Sequence, residues 1–70
     1  MKRKYVYAMI SDLGRIMGLT VDTPDSVGTK FECVDGARYT HGIGRITRIC
    51  DLDKDNREYI RDNQHDLYIY

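Results

Sequence analysis

No stretch of this sequence is both long and apolar enough to serve as a membrane anchor. The basic start Lys2-Arg3-Lys4 has the charge of a secretory leader, but the apolar run behind it, residues 5–10, is short and stops at Ser11-Asp12. A cytoplasmic protein with no membrane partner is therefore expected. Net charge is also missing: 11 Lys and Arg balance 11 Asp and Glu, so no global field draws the chain to nucleic acid or to a lipid surface. Tryptophan is absent, and Pro24 and Phe31 are the single proline and phenylalanine. Cysteine occurs only at Cys33 and Cys50, without a Cys-x-x-Cys pair, so two buried thiols are expected rather than a bridge. Serine occurs only at Ser11 and Ser26 and histidine only at His41 and His65, and no nucleophile stands beside a base in a recognisable spacing. A thiol at Cys50 or Cys33 paired with His41 is the one catalytic arrangement left open. Neither an enzyme nor a cofactor is expected.

What is present is tyrosine, six copies in 70 residues, and an uneven distribution of charge. Residues 1–30 carry five bases and three acids, residues 31–50 three and two, and residues 51–70 three and six. The amino end is mildly basic and the carboxyl end acidic. The length fits one domain, residues 1–70, divided into an N-terminal helix or hairpin with its connector (1–28) and a β core (29–70). A chain this short buries only about 60% of the surface its unfolded form exposes, so packing onto a partner or a second copy would help it.

The most informative segment is His41-Gly42-Ile43-Gly44-Arg45-Ile46-Thr47-Arg48-Ile49. It reads as a glycine-kinked turn running into a β-branched strand, with glycines flanking Ile43 so that the backbone can bend or approach a neighbour. Upstream, Thr29, Phe31 and Cys33 alternate with Lys30 and Glu32, which predicts a half-buried strand, and Asp35-Gly36 marks a hairpin. Residues 57–61 read as a further strand, 62–65 as a turn and 66–70 as a last strand. Residues 22–26, around Pro24, form a connector. Residues 4–21 are ambiguous. Val6, Ile10, Leu13 and Met17 make a helical stripe capped by Gly18, whereas Tyr5-Val6-Tyr7 favours a strand and Ser11-Asp12-Leu13-Gly14-Arg15 a hairpin closed by a bulged glycine. Strands spaced in this way predict a mainly β protein, a small SH3-like or Tudor-like barrel of about five strands.

At His41-Gly42-Ile43-Gly44-Arg45-Ile46, with Ile49 following, the chain resembles the Tudor-like domain of the CarD family and of transcription-repair coupling factors. The likeness extends weakly over residues 30–70, through Lys30-Phe31, Gly36 and Glu58-Tyr59-Ile60, and the proline usual before the histidine is missing. The resemblance implies a non-enzymatic domain that adds a sheet edge to RNA polymerase, with residues 57–61 as the docking strand.

Other constellations compete. Asp51, Asp53, Asp55 and Asp62 fall at positions one, three, five and twelve of an EF-hand-like calcium register, although a solvated loop accounts for the same residues. Cys33, His41, Cys50 and His65 would make a zinc set, but their spacing fits no compact knuckle. If Ile60, Leu67 and Ile69 point inward, Arg57, Tyr59, Arg61, Tyr68 and Tyr70 share an outer face rich in the side chains that anchor interfaces. Nucleic acid would instead stack on Tyr39 or Tyr59 and use Lys2, Arg3, Lys4, Arg38, Arg45 and Arg48 against phosphates. A helix-turn-helix over residues 10–27 would put Pro24 in its reading helix.

The sequence thus points to a protein-interaction module, with Arg57, Tyr59, Arg61, Tyr68 and Tyr70 meeting a protein partner. It would act as an accessory factor or inhibitor of a larger enzyme, of the size that phages encode. Nucleic-acid binding is the alternative, a calcium loop the second alternative, and a homodimer is open through the last strand.

Overall fold

Six of the first ten residues form a strand because Tyr5-Val6-Tyr7 favours pleated backbone and Ser11 begins a tight turn. In the computed structural model, which describes residues 3–35 and 40–70 apart from the side chains of 33–35, 40 and 41, β1 spans Tyr5–Ile10 and β2 Ile16–Asp22. The turn is a three-residue loop. Ser11 and Arg15 bond through the Ser11 amide and the Arg15 carbonyl at 2.8 Å, the Gly14 amide donates to Ser11 O at 3.0 Å, and Gly14 takes φ +81°. The Ser11 hydroxyl, 3% exposed, accepts from the Arg15 amide at 3.1 Å. The hairpin reading of residues 4–21 holds and the helical stripe does not. Leu13, one of its members, sits exposed at the turn tip, and residues 7–10 of β1 are buried on both faces, which blurs its alternation.

The sheet has four antiparallel strands in the order β2-β1-β4-β3, with β3 at Lys30–Asp35 and β4 at Thr40–Thr47. Residues 23–29, which include a short 3-10 turn at Pro24–Ser26, carry the chain from one sheet edge to the other. β3 and β4 pair from Lys30 opposite Arg45 to Asp35 opposite Thr40, as a hairpin around Asp35 requires; its turn, with Gly36, lies outside the described residues. The glycine segment differs from expectation in one respect. Gly42 and Gly44 are inside β4, not in a turn ahead of it. Gly44 is there for contact: a Cβ on it would lie 2.5 Å from the Ile10 carbonyl oxygen and 2.5 Å from Phe31 Cζ.

After β4 the chain makes a 3-10 turn at Ile49–Asp51 and one α-helix, α1, at Lys54–Asn63. Residues 57–61 are therefore helical, which corrects the expected strand. Asp53 is an N-cap whose carboxylate accepts from the Asn56 amide at 3.0 Å, Asp55 lies in the first turn and Arg61 in the last. In the sequence alone the same end chemistry reads as a loop. Ile60 is the one buried residue of α1, and it anchors the helix on the sheet. The expected last strand reduces to a single parallel bridge, Ile69 beside Leu19. The structure is thus mainly β, but its described strands form an open sheet of four with one helix rather than a barrel of about five.

Alternation along β1 divides the core in two. Ala8 and Ile10, with Leu19, face Leu52 and Ile60, and Ile16, Ile49 and Leu67 pack around them. On the opposite face Tyr7, Met9 and Ile46 cluster with Met17 and Phe31. Fully burying one such side chain contributes about 1.5–3 kcal/mol, so each layer matters to a domain of this size. No helix among the described residues is long and apolar enough to cross a membrane.

Candidate functional site

The five residues expected to share one outer face are in three places. A helix turns about 100° per residue, so Tyr59 lies nearly opposite Arg57 and Arg61 on α1. Arg57 and Arg61 border an open groove of about 300 Å³ with Lys54 and Glu58, where Lys54 meets Glu58 at 3.9 Å; Arg61 itself pairs with Asp62 at 3.2 Å. Tyr59 borders a cleft of about 190 Å³ with Gly14, Arg15, Ile16 and Asn56, closed by an Asn56 Nδ2 bond to Gly14 O at 3.1 Å. A face that alternates with period two comes apart when the backbone has a period of 3.6.

Tyr68 and Tyr70 do stay together. Their rings meet edge-to-face at 4.6 Å between centroids, and the segment runs along the outer edge of β2. Two backbone bonds hold it: the Leu19 amide donates to Tyr68 O at 2.9 Å, and the Tyr70 amide donates to Leu19 O at 2.8 Å. Gly18 makes room, since a Cβ there would lie 2.6 Å from Tyr70 Cε2 and 2.8 Å from Tyr68 O. Tyr68, Ile69 and Tyr70 are 67%, 59% and 62% exposed. Val21 and its cross-strand partner Val6 are also exposed, on β2 and β1. Ile69, expected to point inward, is exposed instead, because the tail meets β2 at its open edge; Val6 and Val21 carry no expected contact role, although strand register places Val21 two residues beyond Leu19, the partner of Ile69.

The basic set is not assembled among the described residues. Lys2, Arg38 and Tyr39 lie outside them, Arg3 and Lys4 are exposed ahead of β1, and Arg45 is exposed opposite Ile10 and Lys30. Arg48 forms a 2.7 Å bridge with Asp51, whose hydrogen bond and charge push the guanidinium pKa further above its usual value. The calcium register fails for a structural reason. A twelve-residue loop would have to wrap residues 51–62, but 54–63 are helix, with Asp53 capping it, Asp51 on Arg48 and Asp62 on Arg61. Among the described residues no three His, Cys, Asp or Glu side chains are placed to hold a metal ion. Cys50 is an exposed free thiol, not a buried one, and His65 is exposed in the turn after α1. The side chains of Cys33 and His41 lie outside the described residues. Ser26 donates from its hydroxyl to Thr23 O at 2.9 Å.

No protein-family model matches the chain, and no curated protein or solved structure is significantly similar to it.

Proposed function

We propose that this protein is a small non-enzymatic interaction module that binds a larger protein, as accessory factor or inhibitor, through the Tyr68-Ile69-Tyr70 corner. The observation that carries this reading is a run of three large side chains that are more than half exposed yet fixed in place, by two backbone bonds to Leu19 and by the ring contact. Ordered aromatic groups lose little freedom on binding and combine apolar area with a polar tip. Arg57, Tyr59 and Arg61 fall outside this corner and carry no part of the proposal. A nucleic-acid enzyme such as RNA polymerase is the first partner to test, supported by the CarD-like step at His41, Gly42, Ile43, Gly44 and Arg45. The same step supports treating the open four-stranded sheet as an opened SH3-like or Tudor-like barrel.

The test is affinity capture from nuclease-treated lysate with the wild type and with Tyr68→Ala/Tyr70→Ala. A stoichiometric protein retained by the wild type and lost with the double variant, at unchanged circular dichroism, supports the reading. Retention that disappears with nuclease, or that survives the double substitution, overturns it.

A further inference from the structure

The two edges of the sheet are treated differently. The tail pairs with the outer edge of β2 at Leu19, whereas the outer edge of β3 pairs with no described residue. Its hydrogen-bonding phase follows from Ile46, whose amide donates to Thr29 O at 2.9 Å and whose carbonyl accepts from the Gly28 amide at 2.8 Å. Counting along the register from there, the backbone groups of Phe31 face Gly44, and those of Lys30 and Glu32 project from the open edge.

The geometry points to a second copy of this chain as the occupant of that edge, paired antiparallel about a two-fold axis through Phe31. In this register Lys30 of each copy lies opposite Glu32 of the other, twice over, and both residues present their free N–H and C=O groups. Shifting the pairing by two residues sets Glu32 against Glu32 or Lys30 against Lys30, and a shift by one reverses the faces. Charge therefore selects one register. Phe31, half-buried beside Tyr7, Met9 and Ile46, meets its own copy and continues that apolar face across the axis. Charged residues also guard edges against aggregation. Two lysines would guard as well, whereas a lysine and a glutamate two residues apart are complementary to themselves. This inference concerns the edge opposite the tail and stands apart from the reading of Tyr68 and Tyr70.

The experiment is sedimentation equilibrium at up to ~0.5 mM, where even a millimolar Kd is visible. Reducing agent is included because Cys50 is exposed. The wild type is expected to dimerise. Lys30→Glu alone and Glu32→Lys alone each set like charges together at both contacts and should weaken the dimer at least about tenfold. An equimolar mixture of the two variants restores opposite charges at both contacts and should associate like the wild type, as should the double variant Lys30→Glu/Glu32→Lys. Both side chains are exposed, and circular dichroism checks that each variant is folded. A second measurement needs only the wild type, whose dimer should loosen as salt rises. A monomeric wild type, single variants that dimerise normally, a mixture that stays monomeric, or a dimer indifferent to salt each overturns the proposal.

Discussion

Gly44→Ala is the sharpest test of how the sheet is held together. The new methyl carbon would stand 2.5 Å from the Ile10 carbonyl oxygen and 2.5 and 2.9 Å from Cζ and Cε2 of Phe31. Comfortable carbon contacts begin near ~3.5 Å, so β1 and β4 must part by about 1 Å at their shared register, or the ring must leave. The ring can move, but the carbonyl belongs to a strand paired on both sides. Losing one or two ladder bonds costs about 1–2 kcal/mol. Displacing the half-buried ring costs about 1 kcal/mol more. Alanine returns roughly 0.4–1 kcal/mol by restricting the unfolded chain. The net is about 2 kcal/mol, which for a domain of this length lowers Tm by about 8–16 °C. Thermal denaturation followed by circular dichroism, with urea midpoints alongside, reads this directly. In a Phe31→Ala background only the carbonyl obstacle remains, and about half of the loss should persist. A Gly44→Ala protein melting within about 2 °C of the wild type would refute the close approach of β4 to β1.

Two further outcomes test the helix and the acidic segment. Asp53→Ala removes the carboxylate that accepts from the Asn56 amide and should cost about 1 kcal/mol, lowering Tm by roughly 4–8 °C, while Asp53→Ser should keep most of that stability. Calcium at about 5 mM should leave the melt unchanged, because a ligand raises Tm only if the folded form binds it; a rise would restore the loop reading of Asp51, Asp53, Asp55 and Asp62.

The parts of the fold legible in the sequence are those whose signal is local. Gly14 after Ser11-Asp12-Leu13 marked the first hairpin, and the alternation of Phe31 and Cys33 with Lys30 and Glu32 marked β3. The glycines around Ile43 marked a close approach, although they lie within a strand. α1 was missed because its identity rests on its ends. Asp53 and Asn56 form a cap, and the same residue types form turns. With the period mistaken, Arg57, Tyr59 and Arg61 were placed on one face that a helix distributes around its circumference. Tyr68 and Tyr70 escaped this error because their segment is extended. What the sequence could not reveal was the hollow at Gly18 that receives Tyr70, since nothing local ties residue 18 to residue 70.

β1 pairs with β2 across a short turn and with β4 across most of the intervening chain, as Met9 opposite Ile46 shows. During synthesis from the ribosome the first hairpin can close early, but the other side of β1 must wait until the residues through Thr47 have emerged. Closing so long a loop slows folding; it leaves Tyr7 and Met9 without Ile46 meanwhile, and Ala8 and Ile10 stay uncovered longer still, until Leu52 and Ile60 follow. The first hairpin is thus the part of the fold that forms earliest and is completed last.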